Sequence, residues 1–329
     1  MEKRNLLKGL LVFGMVLVFI IIGDSPSFAQ KDFPNREIEI VVPYPPGGSL
    51  DLATRIMSDE LSKILGVPLV VVNKAGVHMG AQYVANAKPD GYTLLAGNNV
   101  IFVLLPATQT DLPYKTSDFA PIARYATSPN FLLVQKGTPW KTLEELIDYA
   151  KKNPGKLTCA TSGVASNSHF FLEILNIEAG VNIRHVPFKG GPPANTAALG
   201  GHVDLLSSSL SGVFPLLKSG DFRGLAVFSR KSIPEFPEIP TMVEKGYPGT
   251  IISAGFWAGF FTPRGIEKTV LEKISKAVEK AAKTPHVIRK LETTGNIFDY
   301  VAGEDLTKDI EKESEKVMYI IKKANLTFK

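Results

Sequence analysis

Short apolar runs rich in β-branched residues alternate with helical repeats of apolar residues along most of the chain, and this alternation limits the possible folds. The first series has three such runs, "EIEIVVPY" (37–44), "PLVVVN" (68–73) and "YTLLAG" (92–97). Because these runs are apolar almost without a break, they are typical of strands buried on both faces of a parallel sheet. The pattern predicts an α/β fold in which ligands bind at the carboxyl ends of the strands.

The same alternation begins again at residue 130. Its predicted strands are "NFLLVQK", "KLTCATS", "IRHVPF", "HVDLLSSSL" and "FRGLAVFS". An apolar strand, "SAGFWAGFFTP" (253–263), and two amphipathic helices close the chain, and we expect them to return to the first series. The sequence therefore predicts two doubly wound lobes, lobe 1 from residues 30–129 and 253–329 and lobe 2 from residues 130–252.

Residues 1–29 have a different composition from the rest of the chain. Lys3, Arg4 and Lys8 precede an apolar run over residues 10–22, and small residues follow at 27–29. The run is shorter than the ~20 residues that cross a bilayer. We expect a cleavable signal peptide at residues 1–29 and a mature protein in the periplasm or another extracytoplasmic compartment; an uncleaved anchor is the alternative.

Composition and charge exclude several classes of protein. The chain has 329 residues, of which 44% are apolar, and this suits a globular protein with more than one core. Its formal net charge of +5 is mild and no long run of like charges occurs, so we expect no nucleic-acid partner. The single cysteine, Cys159, excludes an internal disulfide and a thiolate metal cluster, and we expect it to be buried. No cofactor or metal is predicted.

The stretch "VVPYPPGGSLDLATRI" (41–56) breaks at two prolines and two glycines and resumes as a helical pattern from Ser49. Glycine permits close approach of a ligand, and a helix that begins at Ser49 directs unpaired N–H groups into the break. Such a turn suits an anion, although an ordinary strand-to-helix connection explains it as well. Asp51 could bind an ammonium group of a ligand or could favour the helix start through its charge.

A second stretch of the same kind, "TCATSGVASNSHFFLEIL" (158–175), passes through capping and hydroxyl residues into a helix. A helix N-terminus stabilises a carboxylate by about 0.3–1 kcal/mol when exposed and by up to ~2 kcal/mol when partly buried. Two helix N-termini on corresponding elements predict a carboxylate site between the lobes. Asn98 and Asn99 directly follow the third strand, so they are further candidates.

Several long strings carry a resemblance to a known family: "YPPGGSLD", "AKPDGYTLL", "VPFKGG", "LGGHVDLL" and "RGLAVFSRKSIPEFPEIPTMVEKGYPG". They resemble the tripartite tricarboxylate transporter substrate-binding family, the Bug family of extracytoplasmic solute receptors. The resemblance implies a type II periplasmic binding-protein fold that closes on a small carboxylate and delivers it to membrane permease subunits. With the candidates above, it implies a ligand site formed by Tyr44, Gly47, Gly48, Ser49, Asp51, Asn98, Ser162, Ser166, Asn167, His169 and Asp204.

One segment departs from the family pattern. The glycine-rich stretch that commonly follows the second strand is replaced by "NKAGVHMGA" (73–81), which is shorter and has bulkier residues. His78 could meet a second ligand carboxylate or could lie on the surface. Phe256 and Trp257 could line the cleft or could pack in the core.

No motif of a known enzyme class stands out, since the chain contains no G-x-S-x-G, H-E-x-x-H or P-loop pattern. We therefore predict a monomeric binding protein without catalytic activity. The enzyme alternative is a hydrolase that uses Ser168, His169 and Asp204. A receptor that signals to a membrane sensor is a further alternative, because signalling and transport need the same closing site.

Overall fold

The computed structural model describes residues 33–250, 255–323 and 325–326. By its contacts the chain divides after Asn35, and all the helices and strands described belong to the unit that begins at Arg36. The predicted signal peptide and the predicted boundary at 252/253 lie outside the described residues.

The first sheet has six strands in the order β11-β4-β10-β3-β1-β2. They are β1 (Ile38–Val42), β2 (Leu69–Asn73), β3 (Thr93–Gly97), β4 (Phe119–Ser128), β10 (Phe256–Pro263) and β11 (Ile297–Ala302). Strands β2, β1 and β3 are parallel, whereas β10 is antiparallel to β3 and β4, and β11 is antiparallel to β4. The three parallel strands therefore end at one edge of the sheet.

The second sheet has five strands in the order β7-β6-β8-β5-β9. They are β5 (Asn130–Gln135), β6 (Thr158–Thr161), β7 (Arg184–Pro187), β8 (Leu205–Ser209) and β9 (Phe222–Val227). Strand β6 is parallel to β7 and β8, and β5 is antiparallel to β8 and β9. Pro129 alone separates β4 from β5, so the chain passes from the first sheet to the second without a helix.

Ten α-helices lie in the described part of the chain. They are α1 (Ser49–Leu65), α2 (Val77–Ala85), α3 (Leu105–Thr108), α4 (Leu143–Lys152), α5 (Asn167–Ala179), α6 (Gly191–Leu199), α7 (Leu210–Lys218), α8 (Lys268–Ala282), α9 (Pro285–Thr293) and α10 (Gly303–Lys323). A π-helical turn (Val100–Leu104) precedes α3. Local sequence sets several ends: Thr142 caps α4 by accepting a hydrogen bond from the Glu145 N–H, and α1 ends at Gly66 in the left-handed region.

The C-terminal part of the chain returns to the first sheet. Strands β10 and β11 join that sheet, and α8 packs on α1 and β4. Helix α10 packs on β4, but its distal half enters a second region: Val317 and Ile320 belong to the apolar cluster that contains Phe170 and Phe171 of α5. This helix therefore contacts elements attached to both sheets.

The predicted α/β class is confirmed, and β1, β2 and β3 are parallel as predicted. Both sheets are mixed, because β5 and β10 enter their sheets without a preceding crossover helix and run antiparallel to their neighbours. The sequence analysis also missed β4, β11 and α7, and it predicted two closing helices where the structure has α8, α9, β11 and α10.

Strand β4 was missed because its sequence departs from the usual strand pattern. Pro121 has no N–H for the ladder, and its pairing with Phe261 lies at a shift in register between β4 and β10. Arg124 is charged but buried, and it is neutralised by Asp299 and Asp309 at 2.8 and 3.0 Å. Neither feature is typical of a central strand.

Two predictions about burial are borne out by the structure. Cys159 is fully buried and is a free thiol, and burial raises the pKa of this thiol well above its usual range. Trp257 is 1% exposed, so it packs in the core, which is one of the two roles considered for it.

Among the described residues, no helix has the length and apolar character needed to cross a membrane.

We predict that Phe261→Ala lowers the free energy of unfolding by about 3–5 kcal/mol. The Phe261 side chain is 1% exposed and stacks on Phe102 with ring centroids 3.9 Å apart, so truncation leaves a cavity at the centre of the first sheet. Urea denaturation measures the change. The control is Tyr319→Ala on α10, where the ring is 63% exposed and the expected change is below about 0.5 kcal/mol.

Candidate functional site

The break after β1 forms a glycine turn that leads into α1. We call residues 43–48 the first loop. Gly47 has a φ of +82°, which a residue with a side chain rarely adopts, and Gly48 is the N-cap of α1. Gly48 has no side chain to cap the helix and both glycines are exposed, so the first turn of α1 presents its backbone to the outside of the loop.

Asp51 holds the first loop in place from inside the protein. It is 2% exposed, accepts a hydrogen bond from the Gly47 N–H at 2.9 Å, and forms an ion pair with Arg55 at 3.0 Å. Asn73, at the end of β2, donates to Asp51 at 2.8 Å and to the Tyr44 carbonyl at 3.1 Å. Burial raises the pKa of Asp51, but the hydrogen bonds from Arg55, Gly47 and Asn73 outweigh it and lower this pKa overall.

These contacts make Asp51 a positioning residue for the loop. Its carboxylate oxygens already accept hydrogen bonds from a backbone amide, a guanidinium and a side-chain amide, and it lies in the first turn of α1, as the second of its two interpretations requires. Asn73 was not among the predicted residues. It could have been found by the rule that identified Asn98, because both residues lie at the carboxyl ends of parallel strands in one sheet.

Tyr44 and Asn98 meet above the carboxyl edge of the first sheet, as their positions in the sequence suggest. The Asn98 side-chain amide donates to Tyr44 Oη at 3.0 Å, and its carbonyl oxygen accepts from the Ile101 N–H at 3.2 Å. Burial raises the pKa of Tyr44 to about 12 despite this hydrogen bond, so the phenol is neutral at physiological pH. The pair supplies polar groups without charge beside the first loop.

The second loop, residues 162–166 between β6 and α5, is built from serines. Ser166 is the N-cap of α5 and accepts from the His169 N–H at 3.3 Å. Ser168 Oγ lies 3.0 Å from both Ser162 Oγ and Ser166 Oγ, and it accepts from the Ser162 N–H at 3.0 Å. Ser168 is 3% exposed, while Ser162 and Ser166 are half-buried and form the outer part of this cluster.

A pair of stacked histidines supports the second loop. The rings of His169 and His185 lie 3.8 Å apart and 11° from parallel. His169 Nδ1 accepts from the N–H of Ala165, a residue with a φ of +59°, and His185 Nε2 lies 2.6 Å from Thr161 Oγ1. His169 is 7% exposed and therefore holds the loop backbone from beneath. Burial and the neighbouring His169 lower the pKa of His185 to about 4, although Glu173 partly opposes this shift.

Two asparagines join the sides of the site across the junction between the sheets. Asn99, which follows β3, donates to Asn167 Oδ1 at 2.7 Å, and Asn167, the first residue of α5, donates back to Asn99 Oδ1 at 3.0 Å. Asn99 and Asn98 are consecutive in the chain, as are Asn167 and Ser166. The reciprocal amide pair therefore places the Tyr44–Asn98 pair beside the first loop and the serine cluster of the second loop at the same junction between the sheets.

The Asn99 amide is held on its other side by Glu313 of α10. This carboxylate is 7% exposed; its Oε1 accepts from Asn99 at 3.1 Å and its Oε2 accepts from Trp257 Nε1 at 3.1 Å. The Asn99 amide also lies 3.0 Å from the Gly255 carbonyl. A helix that is remote in sequence thus fixes the asparagine that crosses between the sheets.

A second polar contact crosses the junction near the end of β4. Ser128 Oγ accepts from the Ser211 N–H at 2.8 Å and donates to the Gly295 carbonyl at 3.1 Å. The next residue, Asn296, accepts from Ser49 Oγ at 3.3 Å, which ties the start of α1 to the same junction. The predicted residue Ser49 is thus joined to the second sheet through residues 295–296.

The structure places Asp204 away from the other predicted residues, so the expectation that it belongs to the ligand site is corrected. Asp204 precedes β8, and its carboxylate accepts from the backbone N–H and from Oγ1 of Thr158 at 2.8 and 2.7 Å. Thr158 begins β6, whereas Ser162 follows the other end of that strand, and β6 and β8 are parallel. Asp204 therefore lies at the amino end of these strands.

The same arrangement separates the members of the hydrolase alternative. Ser168 Oγ is engaged with Ser162 and Ser166, His169 Nδ1 accepts from the Ala165 N–H, and Asp204 is at the opposite end of β6. The structure does not bring these three side chains together as a proton relay. The described residues also contain no group of three His, Cys, Asp or Glu side chains that could hold a metal ion.

The segment that departs from the family pattern forms the end of β2 and the start of α2. Gly80 packs directly on the end of β1, where an added Cβ would lie 2.6 Å from Pro43 Cβ. Met79 is 66% exposed. His78 is half-buried, and its Nε2 is enclosed without a hydrogen-bond partner among the described residues.

The geometry combines two helix N-termini, uncharged amides and hydroxyls at one junction. Backbone N–H groups at a helix N-terminus bind anions, and hydroxyl or amide groups add hydrogen bonds without a fixed positive charge. A junction of this composition suits reversible binding of a small anion.

A comparison with protein families assigns the chain. The model of the Tripartite tricarboxylate transporter family receptor, TctC, matches residues 53–326. The chain belongs to this family. It is therefore a solute-binding receptor of the tripartite tricarboxylate transporter type, as the sequence motifs indicated.

Solved structures of similar proteins agree with this assignment. The receptor is similar to the periplasmic binding protein BugD, with 30% identity, a TM-score of 0.78 and coverage of 90% of this chain and 99% of that chain. It is similar to Rpa4515 of R. palustris, solved with adipate, with 29% identity, a TM-score of 0.82 and coverage of 90% and 99%. It is also similar to MatC (Rpa3494) from Rhodopseudomonas palustris, solved with bound malate, with 30% identity, a TM-score of 0.77 and coverage of 88% and 100%. These neighbours confirm the predicted periplasmic binding-protein fold.

We predict that Asn99 and Asn167 are energetically coupled. In a double-mutant cycle of Asn99→Ala and Asn167→Ala, the free energies of unfolding should show a coupling energy of about 1–2 kcal/mol, because two hydrogen bonds are lost together. Chemical denaturation of the four proteins measures it. Additive effects within about 0.3–0.5 kcal/mol would mean that the pair does not form in solution.

We predict that the receptor loses stability as the pH falls from about 6.5 towards 4, in part through His185. In the folded state the pKa of His185 is lowered to about 4, so at these pH values the unfolded state binds more protons than the folded state and is favoured by acid. The fall in melting temperature between pH 7 and pH 5 should be smaller in His185→Gln. The control is His202→Gln, which removes an exposed histidine and should leave the fall in melting temperature unchanged. Equal effects of the two variants would contradict the role given to His185.

Proposed function

We propose that this receptor binds a small organic carboxylate between the first and second loops and delivers it to the permease subunits of a tripartite tricarboxylate transporter. The observation that carries the proposal is the reciprocal Asn99–Asn167 pair, which joins the elements that hold the two helix N-termini. The family assignment supports the delivery step. The solved neighbours with adipate and malate favour a dicarboxylate as the ligand class.

In this proposal the predicted site residues have different roles. Gly48 and the first turn of α1 receive a carboxylate by close approach to the backbone, and Gly47 provides the turn that makes this possible. Tyr44, Asn98, Ser162 and Ser166 supply side-chain hydrogen bonds. The positioning residues hold these groups in place, and they are Ser49, Asp51, Asn167 and His169.

The carboxylate is bound without a cation in this proposal. The first loop has a buried negative charge behind it, but Asp51 is paired with Arg55, so this pair contributes little net field at the turn. The N–H groups and dipoles of α1 and α5 then supply the stabilisation. Binding of this kind is strong enough for capture and weak enough for release.

The proposal also includes the organisation of the protein. The six-stranded sheet, with β10 and β11 returned to it, forms lobe 1, and the five-stranded sheet forms lobe 2. The lobes move about the β4–β5 connection. Residues 1–29 act as a cleavable signal peptide, and the mature receptor works as a monomer in the periplasm.

The test is ligand-induced stabilisation. At ~100 times its dissociation constant, a ligand that binds only the folded state should raise its stability by ~2.7 kcal/mol, which appears as a higher melting temperature. We expect this with a dicarboxylate from a panel of C3 to C8 acids that includes malate and adipate. The corresponding diamides should have no effect, and a panel without any shift would contradict the proposal.

Gly48→Val tests the proposed carboxylate position without disrupting the fold. An added Cβ at Gly48 meets only the Pro45 carbonyl at 3.7 Å, so the variant should fold, while its side chain occupies the space of the carboxylate. The dicarboxylate shift should therefore disappear. Gly137→Val, in a turn outside both loops, should keep the shift, and retention of the shift in Gly48→Val would refute the role of the first loop.

A further inference from the structure

A cavity lies on the junction between the sheets, apart from the first and second loops. Its volume is about 660 Å³. One wall comes from β4, β11 and α10, and the other from residues 228–234, which follow β9 of the second sheet. Pro129, the single residue between β4 and β5, lies in its lining, so we call it the hinge cavity.

The charges of the hinge cavity are predominantly positive. Its lining contains Arg124, Arg230, Lys231 and Lys316, but only one carboxylate, that of Asp299. Arg124 is already neutralised by Asp299 at 2.8 Å and by Asp309 at 3.0 Å. Within the described residues, Arg230, Lys231 and Lys316 form no ion pair. Three exposed cations therefore converge on one concave surface.

The uncharged part of the lining combines apolar residues with the hydroxyl groups of Thr127, Ser229 and Ser232. Ile297 and Phe298 of β11 are half-buried and supply the accessible apolar surface, while Phe228 lies behind the opposite wall and is 1% exposed. Isolated surface lysines need no explanation, because exposed charges are the rule. Three cations at the rim of a cavity that has apolar residues in its floor differ from isolated surface lysines. The floor can bury the apolar part of a ligand, and the rim can attract its negative charge.

We propose that the hinge cavity binds an organic anion with an apolar body, a carboxylate or sulfonate carried on a ring or a short chain. The volume falls within the range of small-molecule sites, about 300–1,000 Å³. The apolar body packs on Ile297 and Phe298, and the acid group lies among Arg230, Lys231 and Lys316. This site is separate from the proposed carboxylate site and does not depend on it.

The probe is 1-anilinonaphthalene-8-sulfonate, an aromatic sulfonate whose fluorescence rises in apolar surroundings. Titration of the full chain should show saturable binding, and the dissociation constant should rise with salt because the rim charges are exposed. In Arg230→Glu/Lys316→Glu we expect a dissociation constant at least tenfold higher. The matched control is Lys312→Glu/Lys322→Glu, which makes the same change in net charge at exposed positions of α10 outside the cavity, and its constant should stay within twofold.

Gly48→Val distinguishes the two sites. Binding of the sulfonate to this variant at the parent affinity places the probe outside the first loop and supports the hinge cavity. The proposal is overturned if the two charge-reversed double variants weaken binding equally, or if Gly48→Val abolishes binding while Arg230→Glu/Lys316→Glu does not. Unchanged melting temperatures of the double variants show that any loss of affinity is not a loss of fold.

Discussion

The buried carboxylate of Glu313 joins the C-terminal helix α10 to β10 and to the residues that follow β3. A charge that is 7% exposed must be satisfied by hydrogen bonds, because an unpaired buried charge costs several kcal/mol. Its donors come from Trp257 on β10 and from Asn99 after β3. The orientation of Asn99 towards Asn167 therefore depends on contacts with the C-terminal helix and, through Glu313, with the returning strand.

The two loops present similar backbone groups with different supports. The first loop is made of glycine and proline, and a charged pair beneath it, Asp51 with Arg55, fixes its shape. The second loop is supported by neutral groups, the hydroxyl of Ser168 and the ring of His169. This difference predicts different responses to acid: the first loop depends on the carboxylate of Asp51, whose pKa is lowered, and beneath the second loop lies His185, whose pKa is lowered to about 4.

Local sequence predicts the strands and loops well, but it predicts poorly which residues meet that are distant in the chain. The parallel strands β1 to β3 and both helix starts follow from residues that are neighbours in the chain. Asp204 was misplaced because its position depends on the direction of β8 relative to β6, which a Gly-Gly turn does not reveal. Glu313 could not be singled out, since a glutamate on an amphipathic helix looks like a solvent-facing residue until its distant partners are known.

The bridge between the sheets is made of two neutral amides, Asn99 and Asn167, and not of an ion pair. Salt weakens attraction between charges, with a screening length of about 8 Å at physiological ionic strength, but it leaves a hydrogen bond between amides nearly unchanged. Amides also do not titrate over the biological pH range. The attraction between Asn99 and Asn167 is therefore nearly independent of ionic strength, unlike that of the ion pair between Asp51 and Arg55.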